Sequence, residues 1–216
     1  MKNKNLFRFL TAAGLLVLFA LWTFAVAFIN VKAIGPNGSS VGFAALNGAF
    51  HRLTGVHMIL YSITDWMGLF PISVMFGFFI MGLIQLIKRR SFLKVDLSLY
   101  ALGLTYLLLL IAYLLFEKVV INRRPVLIDG FLEASYPSST TLLVMTVIPT
   151  AMIELNHRIK NKTARKPVMV SLAVFMTFTV VGRTVSGVHW LTDIIGGLLL
   201  SAALVMLCYF VSKAKG

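Results

Sequence analysis

Six long apolar stretches separated by short polar clusters run along the chain, at about 9–31, 67–87, 96–116, 138–156, 167–187 and 193–212. Each reaches the roughly 20 helical residues that a hydrocarbon core of about 30 Å requires. The pattern predicts an all-α fold, an integral membrane bundle of six transmembrane helices forming a single membrane domain over residues 1–216. Between the first two spans, the segment 34–66 opens with Gly35-Pro36-Asn37-Gly38-Ser39-Ser40, a turn-rich loop, and continues with apolar residues at 43, 46, 50 and 53. That spacing is helical, so a short amphipathic helix is expected on the outer surface, roofing a site, walling a lipid entrance or simply lying among headgroups. No repeat of solenoid length and no pair of matching halves stands out, which argues against an inverted-repeat transporter.

Composition agrees: 59% of residues are hydrophobic, only 12% are charged, and the mean hydropathy is +0.91. A water-soluble domain needs about a quarter of its residues charged. The same figures exclude a disordered chain, a coiled coil and a disulfide scaffold; the one cysteine, Cys208, lies within the last apolar run as a packing residue. A net charge of +13 would suit a nucleic-acid binder, yet the basic residues cluster at the ends of the spans, so no nucleic-acid partner is expected. Fourteen of the 20 basic residues fall on one side of the predicted bundle: Lys2, Lys4 and Arg8, the 88–94 and 158–166 connections, and Lys213 and Lys215. Lys32, Arg52, Lys118, Arg123, Arg124 and Arg183 fall on the other. The positive-inside rule then makes both termini cytoplasmic in a multi-pass plasma membrane protein, and the compact, basic inner loops fit a bacterial one. The first span resembles a signal peptide up to Ala25-Val26-Ala27, but its apolar run is longer than usual and a retained span is expected.

In so uncharged a chain, ionisable residues near span ends are the informative ones, because each costs about 2.5–3.5 kcal/mol at the bilayer centre. Three groups share the outer face: Glu117-Lys118 through Arg123-Arg124-Pro125, then Tyr136-Pro137-Ser138-Ser139-Thr140, then Gly182-Arg183 through His189 to Asp193. His189 and Asp193 are four apart, so on a helix the carboxylate can orient the imidazole as a nucleophile or base, although such a pair is often purely structural. Arg124 and Arg183 offer planar forks suited to phosphate oxygens, although a lone arginine often snorkels to headgroups. Pro137 followed by Ser138, Ser139 and Thr140 reads as a helix start with free amides and hydroxyls, an anion site or a plain N-cap. Together these are the parts of a phosphoryl-transfer site. His51, His57 and His157 have no carboxylate partner at helical spacing and read as surface residues, while Trp22, Trp66 and Trp190 read as interfacial anchors.

At these residues the chain resembles the type 2 phosphatidic-acid phosphatase superfamily, whose pattern is K-x6-R-P, then P-S-G-H, then S-R-x5-H-x3-D. The resemblance covers roughly residues 50–212. It implies that His189 attacks phosphorus to form a phosphohistidine, that Asp193 orients it, and that Arg124, Arg183 and Ser138 hold the phosphate, with neither metal nor cofactor. Ser139 and Thr140 join the phosphate-binding candidates, and Glu117, Lys118, Arg123 and Tyr136 complete the candidate set. The departures are specific: Glu117 stands at the lysine position with Lys118 one step later, Ser139 replaces glycine, Thr140 replaces the leaving-group acid histidine, and Gly182 replaces serine. Losing a general acid costs about 10²- to 10⁴-fold and matters most for a poor alkoxide leaving group. The expected activity is therefore that of a membrane lipid phosphatase at the extracytoplasmic face, with lipid diphosphates such as undecaprenyl pyrophosphate favoured over phosphatidic acid or phosphatidylglycerophosphate. The alternative is a catalytically degenerate relative that binds or moves a phosphorylated lipid. The expected partners are a membrane lipid and the bilayer; nothing in the pattern fixes an oligomeric state.

Overall fold

The computed structural model describes residues 2–213, with side chains from Asn5 onward. Lys215, and the side chains of Lys2 and Lys4, which entered the charge count, lie outside the described residues. The chain folds as α1 (Lys2–Phe28), a two-residue antiparallel ribbon of β1 (Lys32–Ala33) and β2 (Ser40–Val41), α2 (Ala44–Thr54), α3 (Met58–Trp66), α4 (Leu69–Arg89), α5 (Leu97–Lys118), α6 (Ser139–Arg158), α7 (Lys162–Val185) and α8 (Leu191–Ser212). Among the described residues, six helical segments are long and apolar enough to cross a membrane: Asn5–Phe28, Met58–Arg89, Leu97–Lys118, Ser139–Arg158, Lys162–Val185 and Leu191–Ser212.

α6 and α8 form the centre, with α8 packed against α1, α5 and α6, and α6 also against α7. This explains why α6 is the least apolar span, with a mean hydropathy of 1.2. A helix surrounded by protein rather than lipid can carry Thr141, Thr146 and Thr150, all buried. Thr150 returns its hydroxyl to the Thr146 carbonyl at 2.8 Å, so that hydroxyl is satisfied within the helix. The peripheral spans instead turn large apolar side chains outward, among them Leu21 and Phe24 of α1 and Phe76 and Phe79 of α4. At the end carrying both termini, the Arg8 guanidinium lies 4.9 Å from the Tyr209 ring centre. There Asp96 ties three helices, accepting from Gln85 Nε2 at 2.7 Å, Arg89 Nη1 at 2.8 Å and Arg158 Nη2 at 3.0 Å. Burial alone would raise its pKa, but those three donors outweigh it and bring it to about 2.

Several boundaries differ from the apolar pattern, each for a local reason. The first span stops at Phe28 rather than near 31, because Asn30 adopts a positive φ and its side chain accepts from Ala45 N at 2.8 Å, which pins α2 instead of extending α1. α7 begins at Lys162, not 167, since the Asn161 side chain caps it by accepting from Thr163 N at 2.9 Å and Ala164 N at 3.3 Å. The second span starts at Met58 rather than 67, so the last nine residues of the supposed outer loop, 58–66, belong to it. Ser62, Thr64 and Asp65 had interrupted the apolar run, yet Thr64 is fully buried against α7.

The helix expected around 43–53 is α2, but its orientation is the reverse of a helix using its apolar stripe to cover the protein. Leu46 and Leu53 face away, while Ala44 and Asn47 are buried. In a bilayer the apolar stripe belongs to the lipid side and the polar face to the protein. Asn47 donates to the Gly42 carbonyl at 2.7 Å and to Thr192 Oγ1 at 2.9 Å, and accepts from Thr192 N at 3.2 Å. It thereby clamps the ribbon to the first turn of α8.

Two glycines permit close approaches next to the site. A Cβ at Gly182 would lie 2.7 Å from the Thr64 methyl, so glycine there lets α3 pack tightly on α7. Gly187 has a φ of +71°, and a Cβ on it would come within 1.8 Å of the Gly55 carbonyl oxygen. Gly187→Ala is expected to cost about 2 kcal/mol or more, a fall of several degrees in melting temperature by circular dichroism in detergent. An unchanged melting temperature would show that the loop absorbs the clash.

Candidate active site

Three chain segments meet at the bundle end opposite the termini: the 119–138 connection, the α6 N-terminus, and the turn between α7 and α8. His189 sits in that turn and is buried. Its Nδ1 lies 3.1 Å from the Ser135 carbonyl, which can only accept, so the proton is on Nδ1 and the Nε2 lone pair is the ring's acceptor. Nε2 faces both guanidiniums, at 3.3 Å from Arg124 Nη1 and 3.5 Å from Arg183 Nη2.

Asp193 was expected to orient the imidazole directly. It lies 3.8 Å from Nδ1, beyond hydrogen-bond range, and the Ser135 carbonyl is the direct partner. Asp193 acts one step further back. Its Oδ2 accepts from Trp190 N at 3.0 Å, its Oδ1 accepts from Asn122 Nδ2 at 3.1 Å, and its carbonyl accepts from Ser138 N at 3.0 Å. One carboxylate residue thus fixes the start of α8, the 122 loop and the entry to α6 relative to one another. Trp190, expected at the membrane interface, is buried instead, and its indole N–H donates to the Arg123 carbonyl at 2.7 Å.

Both arginines are held by groups that the sequence pattern did not single out. Arg183 is fully buried, lies 4.6 Å from the Tyr61 ring centre and pairs with Asp65 Oδ1 at 3.3 Å. Arg124 lies 5.8 Å from the same ring, and its Nε is 2.9 Å from Glu133 Oε2. Tyr61 and Asp65 are one turn apart on α3, a signal hidden because that stretch read as loop. A backbone carbonyl such as that of Ser135 leaves no side-chain signature at all.

The other candidates divide. Ser139 lines the small cleft beside His189 with Arg124, Ser135 and Glu117, and as the first residue of α6 it offers an amide without a helical acceptor. Ser138 does not face the cleft: it is fully buried, its amide bonds the Asp193 carbonyl, and its hydroxyl accepts from Thr141 at 3.0 Å. Thr140 opens instead into an adjoining apolar groove of about 360 Å³ between α3–α4, α5 and α6, shared with Asp65, Ile72 and Leu110. Tyr136 borders the cleft, but its hydroxyl lies 2.7 Å from Thr23 Oγ1 of α1 and is not free to donate into the site. Lys118 is exposed and does not line the cleft. Arg123 donates outward to the Leu132 carbonyl at 2.9 Å. Among the described residues no group of His, Cys, Asp and Glu has metal-binding geometry.

The sequence pattern of the PAP2 superfamily matches residues 104–216, just over half the chain and all three of the segments that meet here. The chain belongs to the PAP2 superfamily. Its fold is also that of a solved structure, a transmembrane PAP2-type phosphatidylglycerolphosphate phosphatase from Bacillus subtilis, with a TM-score of 0.62 at 18% identity over 95% of this chain and 97% of that one. No curated protein sequence matches. This PAP2 chain is therefore a multi-pass membrane protein with a phosphatase fold.

Burial first, and then the Arg124 and Arg183 charges, lower the His189 pKa well below the ordinary 6.5, with the Ser135 carbonyl opposing. Below pH 6.5 the unfolded chain thus binds a proton at this histidine that the folded chain refuses, so the contribution of His189 to stability falls as the pH drops below 6.5 and is level above it. Measured at pH 7.5, 6.5 and 5.5, the melting temperature of the wild type should fall relative to that of His189→Gln as the pH drops. An identical slope in the variant would place the proton uptake elsewhere.

Proposed function

We propose that this protein is a lipid phosphatase whose nucleophile is His189, working at the outer face of a plasma membrane with its termini inside. The single observation that carries the reading is the His189 Nε2 lone pair, held within 3.5 Å of two guanidiniums. A phosphate seated between Arg124 and Arg183 has its phosphorus in front of that lone pair. Nε2 bonds to phosphorus, the P–O bond to the leaving group breaks, and the leaving oxygen keeps the electron pair. The guanidiniums meet the charge spread over the equatorial oxygens. Water then attacks the phosphohistidine and releases inorganic phosphate. The apolar groove that meets the cleft at Tyr113, Ser139 and Leu142 suits a lipid tail. The 14-to-6 bias in basic residues supports the orientation.

The leaving group is where this chain is weak. Thr140 lies in the groove, threonine does not titrate near neutrality, and the Tyr136 hydroxyl is held by Thr23. A diphosphate expels a phosphate and needs no acid, whereas a monophosphate must expel an alkoxide. Lipid diphosphates should therefore be turned over about 10²-fold faster than the matching monophosphates, read as phosphate release by the purified protein in mixed micelles. Equal rates would remove the preference. Glu117 on the cleft wall favours a second reading, a binder that does not hydrolyse. Bound lipid of both kinds with no phosphate release from either would establish it.

A further inference from the structure

We propose that Asn122 is the positioning residue of the His189 centre, and that the turn after the ribbon, outside the stretch that carries the PAP2 pattern, sets the direction in which it works. The role rests on the reading of His189 as the nucleophile.

Asn122 lies in a connection rather than a helix, yet it is buried. Its Oδ1 accepts from Gly42 N at 3.1 Å. A backbone amide can only donate, so Oδ1 must face Gly42 and Nδ2 must face away from it. There Nδ2 meets Asp193 Oδ1 at 3.1 Å and Thr192 Oγ1 at 3.4 Å. The Gly42 amide is itself fixed, because the next two amides, of Phe43 and Ala44, donate to the Ile29 and Asn30 carbonyls at 2.9 Å. One backbone N–H near the end of α1 thereby decides that Asp193 meets a donor and not an acceptor.

The main chain of Asn122 reaches His189 by a second route. Its carbonyl accepts from Ser135 N at 3.0 Å, and the Ser135 carbonyl is the group that His189 Nδ1 bonds. Two residues on, Arg124 N donates to the Glu133 carbonyl at 3.1 Å, so 122–124 pairs as a short extended stretch with 133–135. Side chains alternate along such a stretch. Asn122 and Arg124 accordingly point into the centre, while Arg123 between them points out to the Leu132 carbonyl. One residue thus registers both groups behind the imidazole and one of the guanidiniums in front of it. A buried carboxylate is tolerated only while donors face it, so losing the Asn122 donor lets Asp193 and the turn that carries His189 shift together. A displacement of about 1 Å at a nucleophile costs on the order of 10²-fold.

The test is made on the purified full-length protein in detergent. Asn122→Asp keeps the side-chain shape and the acceptor for Gly42 but turns a second carboxylate toward Asp193. Its kcat for phosphate release should fall about 10²-fold while KM changes by less than about threefold. Adding Asp193→Asn to it exchanges donor and acceptor across the same contact, and the paired variant should be at least about tenfold more active than Asn122→Asp alone. A second readout needs no turnover. The protein has four histidines, so ring signals from isotope-labelled histidine are few, and His189→Gln assigns the one that matters. In the wild type that ring should be the Nδ1-protonated tautomer; in Asn122→Asp it should become a mixture of the two, and in the paired variant it should return. Asn122→Ser, which removes the donor without adding charge, carries the same expectation if the facing carboxylates prevent folding. A His189 signal unmoved by these changes, a kcat within about twofold of wild type, or a paired variant no better than Asn122→Asp overturns the role of Asn122. A tautomer that depends on Asn122 in a wild type releasing no phosphate sustains that role and sinks the phosphatase reading, while release that survives every Asn122 variant does the reverse.

Discussion

His189→Ala is expected to reduce phosphate release by at least about 10⁴-fold, the largest effect of any single substitution in this protein. No other group in the cleft can take over. Glu117 is a poor nucleophile toward an anion, and Asp65 and Glu133 are paired with the arginines. Isotopic phosphate from a labelled substrate should be trapped on the wild-type protein as an acid-labile, alkali-stable adduct and be absent from the alanine variant. Removing a buried imidazole that bonds only the Ser135 carbonyl and two guanidiniums with acidic partners of their own should leave the helical signal intact. Residual turnover within about tenfold of wild type, or an adduct that persists, would mean that phosphorus is attacked by another group.

Arg183→Lys is the second large effect, with an expected loss of about 10³-fold in kcat/KM. The guanidinium is fully buried and reaches His189 through Nη2 while Nη1 contacts the Tyr61 carbonyl at 3.4 Å and Asp65 at 3.3 Å. Lysine keeps the charge, but one ammonium cannot face Asp65 and the phosphate at the same time. The loss should therefore appear mainly in kcat, because charge on the equatorial oxygens is greatest in the transition state. Orthovanadate, a mimic of that state, should inhibit the variant far more weakly, whereas simple phosphate should bind nearly as before. A loss confined to KM would make Arg183 a ground-state anchor instead. Arg124→Lys should be milder, since Arg124 is less deeply enclosed and Glu133 is half-exposed.

The parts of this architecture that were legible in the sequence are those written in composition and spacing. An unbroken apolar run of spanning length is plain in the sequence whether its neighbours are lipid, as for much of α1 and α5, or protein, as for α8, so these three stood out with only their ends misplaced. Arg124, Arg183 and His189 were legible because charge inside an apolar chain is costly and rarely idle. Hidden features are those in which protein replaced lipid as the neighbour. α3 looked like loop because Ser62, Thr64 and Asp65 are polar, but Thr64 packs on Gly182 and Asp65 meets Arg183. α2 was found, yet Asn47, not its leucines, turned out to be the attachment. The carbonyl that holds His189 has no side chain to read, and the i,i+4 spacing to Asp193 suggested a contact that the non-helical 189–190 turn does not make.

His189 is approachable from one direction only, since Ser135 and Asp193 stand behind the ring and the guanidiniums flank its free nitrogen. Working by the proposed route, such a centre has a single doorway for everything that must enter or leave. The departing lipid has to clear that doorway before water can follow, so the order of events is imposed by traffic. A slow-moving alcohol left at the threshold would recapture the phosphoryl group, and added short alcohols would be phosphorylated in competition with hydrolysis.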